Sequence, residues 1–266
     1  MKPLLLFFLL LALQPLRAAD AIFFGNSFTN HIPALVADIA KSKGKELGTQ
    51  GMIKNGQGLN AHLAGHGADD ALKSKPWSAV VLQDYSLNAT HARDPKDFMR
   101  YGDLFYAKIT QDAPTATIVL YETWAYNAQH RFITGAPDPK AKPDSDSDPK
   151  AKGPDPKFAS ADEMYGEIHK NYAALQSVLQ AKDANRKVLI APVGTAFVNC
   201  IKDHPKINLY NKDLKHPSAA GDYLAACVLY ATITGDSPAG ATSIKGVPAA
   251  DAKVLQQVAA DLVQKK

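Results

Sequence analysis

The segment that decides the fold reads AIFFGNSFTN, residues 21–30, in which an apolar run is followed at once by glycine, asparagine and serine. The run predicts a buried strand, and Asn30 is predicted to be the N-cap of the helix that follows. Ser27 then lies where the strand ends, at the carboxyl edge of a parallel sheet. A hydroxyl in this position is suited to act as a nucleophile. Taken alone, a serine after Gly-Asn is more commonly a turn residue.

A second segment, DLKHPS at residues 213–218, supplies the groups that a serine nucleophile needs. Asp213 and His216 lie within one turn, so the carboxylate can orient the imidazole while the imidazole takes the proton of Ser27. The order Ser, Asp, His differs from that of chymotrypsin, and no G-x-S-x-G elbow surrounds the serine. The pair Asp203-His204 is a weaker candidate, because no apolar helix follows to fix it at the sheet edge.

Together the two segments resemble the SGNH hydrolase superfamily, also called GDSL-like esterases, from about residue 21 to about residue 240. In that superfamily a Gly-Asp-Ser block carries the nucleophile and a D-x-x-H block carries the other two triad members. The resemblance therefore implies that Ser27, Asp213 and His216 form a catalytic triad. Here the first block reads Gly-Asn-Ser, which keeps a side-chain acceptor and removes a charge.

The resemblance also implies an oxyanion hole that begins with the backbone N–H of Ser27. A glycine of the second family block contributes another N–H group. In this chain the segment NGQG, residues 55–58, is in the right place. Gly58 is favoured over Gly56 for this role.

The third donor of the oxyanion hole is a side-chain amide, and here the sequence leaves two alternatives. The family's Gly-x-Asn block is replaced, after the strand at 79–82, by QDYSLN at residues 83–88. Either Gln83 or Asn88 therefore supplies the amide. Gln83 is the first choice because it follows the strand directly and so emerges at the sheet edge. Asn88 lies in a loop that could fold back to the same point.

The rest of the chain alternates apolar runs with amphipathic stretches, which predicts an α/β fold. Runs without alternation indicate strands that are buried on both faces of a mostly parallel sheet. We expect a three-layer α/β/α sandwich with five strands, for which the family resemblance implies a flavodoxin-like order. The predicted strands are 22–24, 47–53, 79–82, 117–120 and 188–191, and the main predicted helices are 97–111, 161–181 and a last helix at 218–234.

Residues 1–18 have the features of a secretory signal peptide: a basic residue, a short apolar run and small residues at the end. The run is too short to span a bilayer stably, so we expect no stable membrane insertion after cleavage near Ala19 or Asp20. Leu16 is the third residue before this cleavage site, the −3 position, where leucine is less usual than alanine. A leader that stays uncleaved and anchors the protein is therefore an alternative. The protein is then periplasmic or extracellular, with a single SGNH-hydrolase-like domain over residues 19–266.

Residues 136–157 do not fit a packed fold. They repeat Asp-Pro-Lys-Ala-Lys and contain hardly any large apolar residue. We predict a disordered insertion between the fourth strand and the next helix. A loop at that position lies on the active-site face of the sheet and could affect substrate access, although a tolerated insertion is the simpler interpretation.

Charge says little about partners. The formal net charge is +4, and without the leader it is +2, so nothing favours nucleic acid or an anionic membrane. Cys200 and Cys227 could form a disulfide in an oxidising compartment, but free, buried cysteines are the favoured interpretation. His62 and His66 have a helical i, i+4 spacing, yet a general-base Glu and a third ligand are missing, so no metal and no cofactor is expected.

Trp124 and Tyr126 follow the fourth strand and are predicted to lie at the sheet edge near Ser27. They suit a sugar ring or an aromatic acyl group, although both are also ordinary residues at the edge of a core. The function predicted is a secreted or periplasmic serine esterase that hydrolyses small-acyl, acetyl-type esters on carbohydrate. The alternatives are a non-catalytic carbohydrate-binding protein on the same fold and an acyltransferase.

Overall fold

The computed structural model describes residues 19–137 and 157–263. The predicted signal peptide at 1–18 and most of the predicted insertion lie outside the described residues. The first described strand begins at Ala19. Among the described residues, no helix combines the length and the apolar character needed to cross a membrane.

A five-stranded sheet forms the centre of the molecule, and every strand pair in it is parallel. The strand order is β2-β1-β3-β4-β5, which is the order of flavodoxin-like sheets. The α/β class, the three layers and the strand order are therefore confirmed. The strands are β1 Ala19–Gly25, β2 Leu47–Ile53, β3 Ala79–Leu82, β4 Thr117–Tyr121 and β5 Val188–Ala191.

Helices cover both faces of this sheet. The helices α1, α7, α8 and α9 pack on one side, and α2, α3, α4 and α6 pack together on the other. A short 3₁₀ turn, Ser86–Ala89, follows β3. The helices are α1 Ile32–Ser42, α2 Leu59–Leu63, α3 Gly67–Lys73, α4 Pro95–Asp112, α5 Arg131–Thr134, α6 Ala161–Gln180, α7 Val193–Asp203, α8 Ala219–Thr234 and α9 Ala249–Val263.

Two predictions about the helices are wrong. The N-cap of α1 is His31, not Asn30, and its side chain bonds Asp222 on α8 instead of capping the helix. The helix α8 is not the last one, because α9 follows and packs against it. The buried face of α9 relies largely on alanine, which gives a weak apolar pattern in the sequence.

Helix α8 is buried on nearly all sides, because α1, α7 and α9 surround it and the sheet lies beneath it. Its Cys227, and Cys200 of α7, are both free and buried, as the favoured interpretation had it. Burial raises the pKa of the Cys200 thiol to about 11. These cysteines therefore act as small apolar side chains in the core.

The carboxyl ends of the strands lie at one edge of the sheet, where the site is built. Phe24 of β1 pairs with Leu82 of β3, and Leu82 pairs with Leu120 of β4, so these three strands end side by side. The chain that leaves β1 carries Ser27, and the chain that leaves β3 begins with Gln83. The fold thus brings the Gly-Asn-Ser segment after β1 and the QDYSLN segment after β3 together, because the two strands are adjacent.

Candidate active site

The structure brings Ser27, His216 and Asp213 into one hydrogen-bonded chain. The Nε2 atom of His216 lies 2.9 Å from Oγ of Ser27. On the other side of the ring, Nδ1 is hydrogen-bonded to Oδ2 of Asp213. When Nδ1–H donates to this carboxylate, Nε2 is left to accept the serine proton, which is the arrangement required of a general base.

The Asp213 carboxylate is held in its charged form. Partial burial opposes ionisation, but hydrogen bonds from the His216 ring and from the backbone N–H groups of His216 and Lys215 outweigh it. The pKa of this carboxyl therefore lies below its ordinary value. Because Asp213 stays negative, it can fix the tautomer of His216 and stabilise the imidazolium that forms when the base takes a proton.

The turn that carries Ser27 is fixed by the side chain of Asn26. Its Oδ1 accepts from the backbone N–H of Phe28 at 3.1 Å, and its Nδ2 donates to the carbonyl of Gln57 at 2.8 Å. An aspartate could make the first bond but not the second, since an ionised carboxylate only accepts. The asparagine at position 26 therefore ties the nucleophile turn to the loop at residues 55–58.

The loop that carries His216 is fixed by its own backbone. Asn211 N–H donates to the carbonyl of His216 at 2.8 Å, and the Asn211 side chain donates to the carbonyl of Pro217. Leu214 adopts a φ of 63°, which turns the chain back so that Asp213 faces the ring. Ser218 caps α8, so the imidazole is not used for capping.

Gln83 lies beneath the nucleophile turn, and like Gly58 and Asn88 it is not among the residues that line the cavity beside Ser27. Its Oε1 accepts from Asn26 N–H and from the Thr29 hydroxyl, both at 2.8 Å, and its Nε2 donates to the carbonyl of Asp84. The side chain is buried and committed to these contacts. The structure therefore favours a supporting role for Gln83 over the predicted role as the first-choice oxyanion donor.

Asn88 and Gly58 lie against each other. A Cβ atom added to Gly58 would be 2.7 Å from Asn88 Nδ2. Both residues line a polar cleft of about 300 Å³, together with Gly56 and Tyr85. Gly56 and Tyr85 also line the cavity of Ser27, so the two spaces are adjacent. The structure thus places the predicted glycine beside the second candidate amide, and it keeps Gly56 near the serine.

The cavity beside Ser27 is small, at about 310 Å³. Several residues to which the sequence analysis gave no role line it, among them Asn55, Tyr85 and Lys215. On the His216 side a larger space of about 580 Å³ begins, and it shares Tyr85 and Lys215 with the small cavity. Their positions depend on loops that fold back over the sheet edge, which no local pattern in the sequence reveals.

Trp124 is not an exposed platform, which corrects that prediction. The indole is fully buried between Phe28 and Phe197, stacked at 4.5 and 4.3 Å between ring centroids. Its Nε1–H donates to the carbonyl of Lys215 at 2.9 Å. Trp124 therefore supports both the nucleophile turn and the histidine loop from below, because a large aromatic ring after a central strand reaches the core more readily than the solvent.

Tyr126 lines both the small cavity and the larger space beside it, although only 2% of its surface is exposed. Its hydroxyl lies 3.1 Å from the Ser86 hydroxyl. Burial raises the pKa of this phenol, so it stays neutral. Of the two predicted aromatic residues, Tyr126 alone is placed where a substrate could touch it.

The remaining histidine candidates are separate from the triad. His62 is buried under the nucleophile strand, with Nε2 2.9 Å from the carbonyl of Gly25, whereas the His66 side chain is 93% exposed. Asp203 and His204 lie at the end of α7, in a groove against α9. Within residues 19–137 and 157–263, no group of three or more His, Cys, Asp and Glu side chains is arranged to hold a metal.

The chain resembles solved structures over most of its length. A DUF4886 family protein from Bacteroides uniformis ATCC 8492 matches with a TM-score of 0.68 and 17% identity, over 92% of this chain and 94% of that one. A protein described as a GDSL-like lipase from Parabacteroides merdae ATCC 43184 matches with a TM-score of 0.53 and 16% identity, over 82% and 96%. The acetyl xylan esterase AlAXEase matches with a TM-score of 0.53 and 18% identity, over 80% and 98%. No protein-family model and no curated protein matches the sequence. At these identities the likeness establishes the fold, which is that of GDSL-like hydrolases.

Proposed function

We propose that this chain, which has the fold of the SGNH/GDSL hydrolases, is an exported serine esterase that removes small acyl groups from carbohydrate. The observation that carries the proposal is the hydrogen-bonded chain from Ser27 through His216 to Asp213. Among the matched structures, one is described as a lipase and one as an acetyl xylan esterase, which supports ester bonds as the substrate class.

The reaction proceeds in two halves. His216 takes the proton of Ser27 as Oγ attacks the ester carbonyl, and the resulting tetrahedral oxyanion accepts hydrogen bonds from N–H groups at the sheet edge. The imidazolium then protonates the leaving alkoxide, and an acyl-serine remains. In the second half, His216 deprotonates water, which attacks the acyl-serine. The imidazolium then returns the proton to Ser27 Oγ as the carbon–Oγ bond breaks, which releases the acid and restores the free serine.

The oxyanion donors we assign are the backbone N–H of Ser27, the backbone N–H of Gly58 and the side-chain amide of Asn88. Gly58 and Asn88 support the assignment because they lie in contact and share a polar cleft next to the cavity of Ser27. Gly56 stays as the alternative glycine, since it lines that cavity directly.

The sizes of the spaces around Ser27 support a small acyl group on a polar alcohol. The cavity of about 310 Å³ directly beside Ser27 is bounded by Tyr126 and Ser86 and suits a small acyl group, whereas the larger space of about 580 Å³ begins beyond His216. The adjoining cleft is mainly polar, and its walls include Asn60, Asp94 and Tyr101. Amides, carboxylates and tyrosine rings are the groups that bind sugar hydroxyls and sugar faces. Export is supported by the signal-like residues 1–18.

Hydrolysis of 4-nitrophenyl esters of increasing chain length tests the acyl preference, and release of acetate from acetylated xylo-oligosaccharides tests the alcohol. We expect the highest kcat/KM for acetyl and a steep decline at longer chains. A preference for chains of eight or more carbons would contradict the small-acyl proposal. Formation of a new ester when sugar acceptors are added would identify an acyltransferase instead. Absence of any turnover would favour the non-catalytic binding protein.

A further inference from the structure

Asp84 is a buried carboxyl group next to the proposed oxyanion donors, and the hydrolysis described above does not use it. It follows Gln83 at the end of β3, and only 1% of its surface is exposed. A carboxyl group is rarely buried so fully without a specific reason, because losing its hydration costs free energy. Its hydrogen bonds indicate what the reason is.

Three donors converge on a single oxygen of this carboxyl group. Oδ1 accepts from the backbone N–H of Leu59 at 2.9 Å and from the backbone N–H of Tyr85 at 2.7 Å. It also accepts from Nδ2 of Asn88 at 3.0 Å. The other oxygen, Oδ2, is buried and has no hydrogen-bond partner among the described residues. Asp84 therefore joins the start of α2, the chain after β3 and the 3₁₀ turn at one atom.

The residues so joined include one proposed oxyanion donor, Asn88, and the chain neighbour of another, Gly58. Leu59 directly follows Gly58, so its bond to Asp84 fixes the peptide beside the glycine N–H. The Asn88 amide has two hydrogens, and the bond to Asp84 uses one, which leaves the other free to donate to a substrate. From this geometry we infer that Asp84 is the positioning residue of the oxyanion hole, holding Gly58 and Asn88 at a fixed separation. The inference rests on the proposed esterase function.

The identity of residue 58 supports the same inference. A Cβ atom at Gly58 would lie 2.5 Å from Oδ1 of Asp84 and 2.7 Å from Nδ2 of Asn88, so any side chain would push these groups apart. The backbone of Gly58 has a φ of −99°, which any residue can adopt. Glycine is therefore required here by the close approach of Asp84 and Asn88, and not by the conformation of the chain.

The electrostatics favour an acceptor that carries no full charge. Burial raises the pKa of the Asp84 carboxyl, against the opposing effect of the Leu59, Tyr85 and Asn88 hydrogen bonds. What the three donors require at this position is an acceptor oxygen, and a full negative charge is not needed for that. An asparagine at position 84 has the same carbonyl oxygen, so it can replace this function, whereas an alanine cannot.

Four variants test the inference: Asp84→Ala, Asp84→Asn, Gly58→Ala and the control Asp112→Ala. Asp112 is also a buried carboxylate, but it lies at the end of α4, paired with Lys73, at the opposite edge of the sheet. Asp84→Ala should lower kcat for 4-nitrophenyl acetate about 10²-fold with KM changed less than about threefold, because the donors act on the transition state. Asp84→Asn should recover kcat to within about fivefold of wild type.

Gly58→Ala should show the same loss of kcat at nearly constant KM, and it keeps the experiment decisive if Asp84→Ala does not fold. The inference is overturned if kcat of Gly58→Ala and of any folded Asp84→Ala stays within about threefold of the Asp112→Ala control, or if Asp84→Asn is as impaired as Asp84→Ala. The inference is also overturned if kcat is unchanged and the lower kcat/KM of these variants comes from a higher KM. Absence of turnover by wild-type protein would instead contradict the proposed function itself, so the two failures are distinguishable.

Discussion

Two regions of the site differ in how their geometry is determined. In the D-x-x-H loop, Asp213 and His216 meet through a spacing of three residues, and the backbone of the same loop holds them. In the chain after β3, Gln83 and Asp84 accept hydrogen bonds from segments that are distant in sequence, and Asp84 in turn holds Asn88. The pairing in the first region comes from local sequence, although Trp124 and Asn127 also bond the loop from outside. The second region depends on how the strands and loops assemble.

The difference explains why the geometry of the first region is easier to predict from the sequence than that of the second. A pair of functional side chains within one turn produces a recognisable spacing, and any substitution in it is visible. A set of long-range hydrogen bonds can be built with many residue types, so no fixed spacing marks it in the sequence. Variants in the two regions should therefore differ in the size and in the kind of their effects.

The largest effect is expected at Ser27, where both regions act on the same atom. Ser27→Ala should lower kcat for a small chromogenic ester by about 10⁶-fold with the fold preserved, because the acyl-enzyme can no longer form. Steady-state kinetics with circular dichroism as a folding control measures this. Activity within tenfold of wild type would show that another residue is the nucleophile.

A smaller but still large effect is expected in the locally determined region. Asp213→Asn should lower kcat about 10⁴-fold, because an amide can hold His216 in the wrong tautomer and cannot stabilise the imidazolium. Asp203→Asn is the matched control, since Asp203 is also followed by a nearby histidine but lies away from Ser27. Equal kinetics for the two variants would remove Asp213 from the triad.

In the region after β3, the two amides should separate into different roles. Asn88→Ala should lower kcat by about 10²–10³-fold with little change in KM, as expected for loss of one oxyanion donor. Gln83→Ala should mainly lower stability, by about 1–3 kcal/mol, because it leaves Asn26 N–H and the Thr29 hydroxyl without their acceptor. Urea unfolding and kinetics on both variants measure the two effects, and a reversed pattern would make Gln83 the donor.

How far the sequence alone predicts this molecule follows from the same contrast. Four of the five strands follow from continuous apolar runs, whereas β2 contains Gly48, Thr49, Gln50 and Gly51. The spacing of Asp213 and His216 points to a triad. Helix α9 is missed because alanine fills much of its buried face. The burial of Trp124 is missed because stacking on Phe28 and Phe197 joins residues about 70 to 100 positions away, which leaves no local pattern.

The smallest expected effect concerns the pH dependence of stability at Asp84. Its pKa is raised in the folded protein, mainly by burial, so the folded state binds a proton more readily than the unfolded state does. The stabilising contribution of Asp84 is therefore fully present below the ordinary carboxyl pKa of 3.8 and is lost as pH rises through the folded value. The Tm of wild type minus the Tm of Asp84→Asn should therefore increase as the pH falls from 7 to 4. A constant difference between the two Tm values would show that Asp84 titrates normally.

The central claim is that Ser27 is an activated nucleophile. Incubation of the protein with a fluorophosphonate, followed by mass spectrometry of its peptides, measures this directly, because the probe reacts with a serine that a base has activated. We predict one covalent adduct on Ser27, no adduct in Ser27→Ala, and slow labelling when Asp213 is replaced by asparagine. An unlabelled but folded wild-type protein, or an adduct on another serine, would contradict the account.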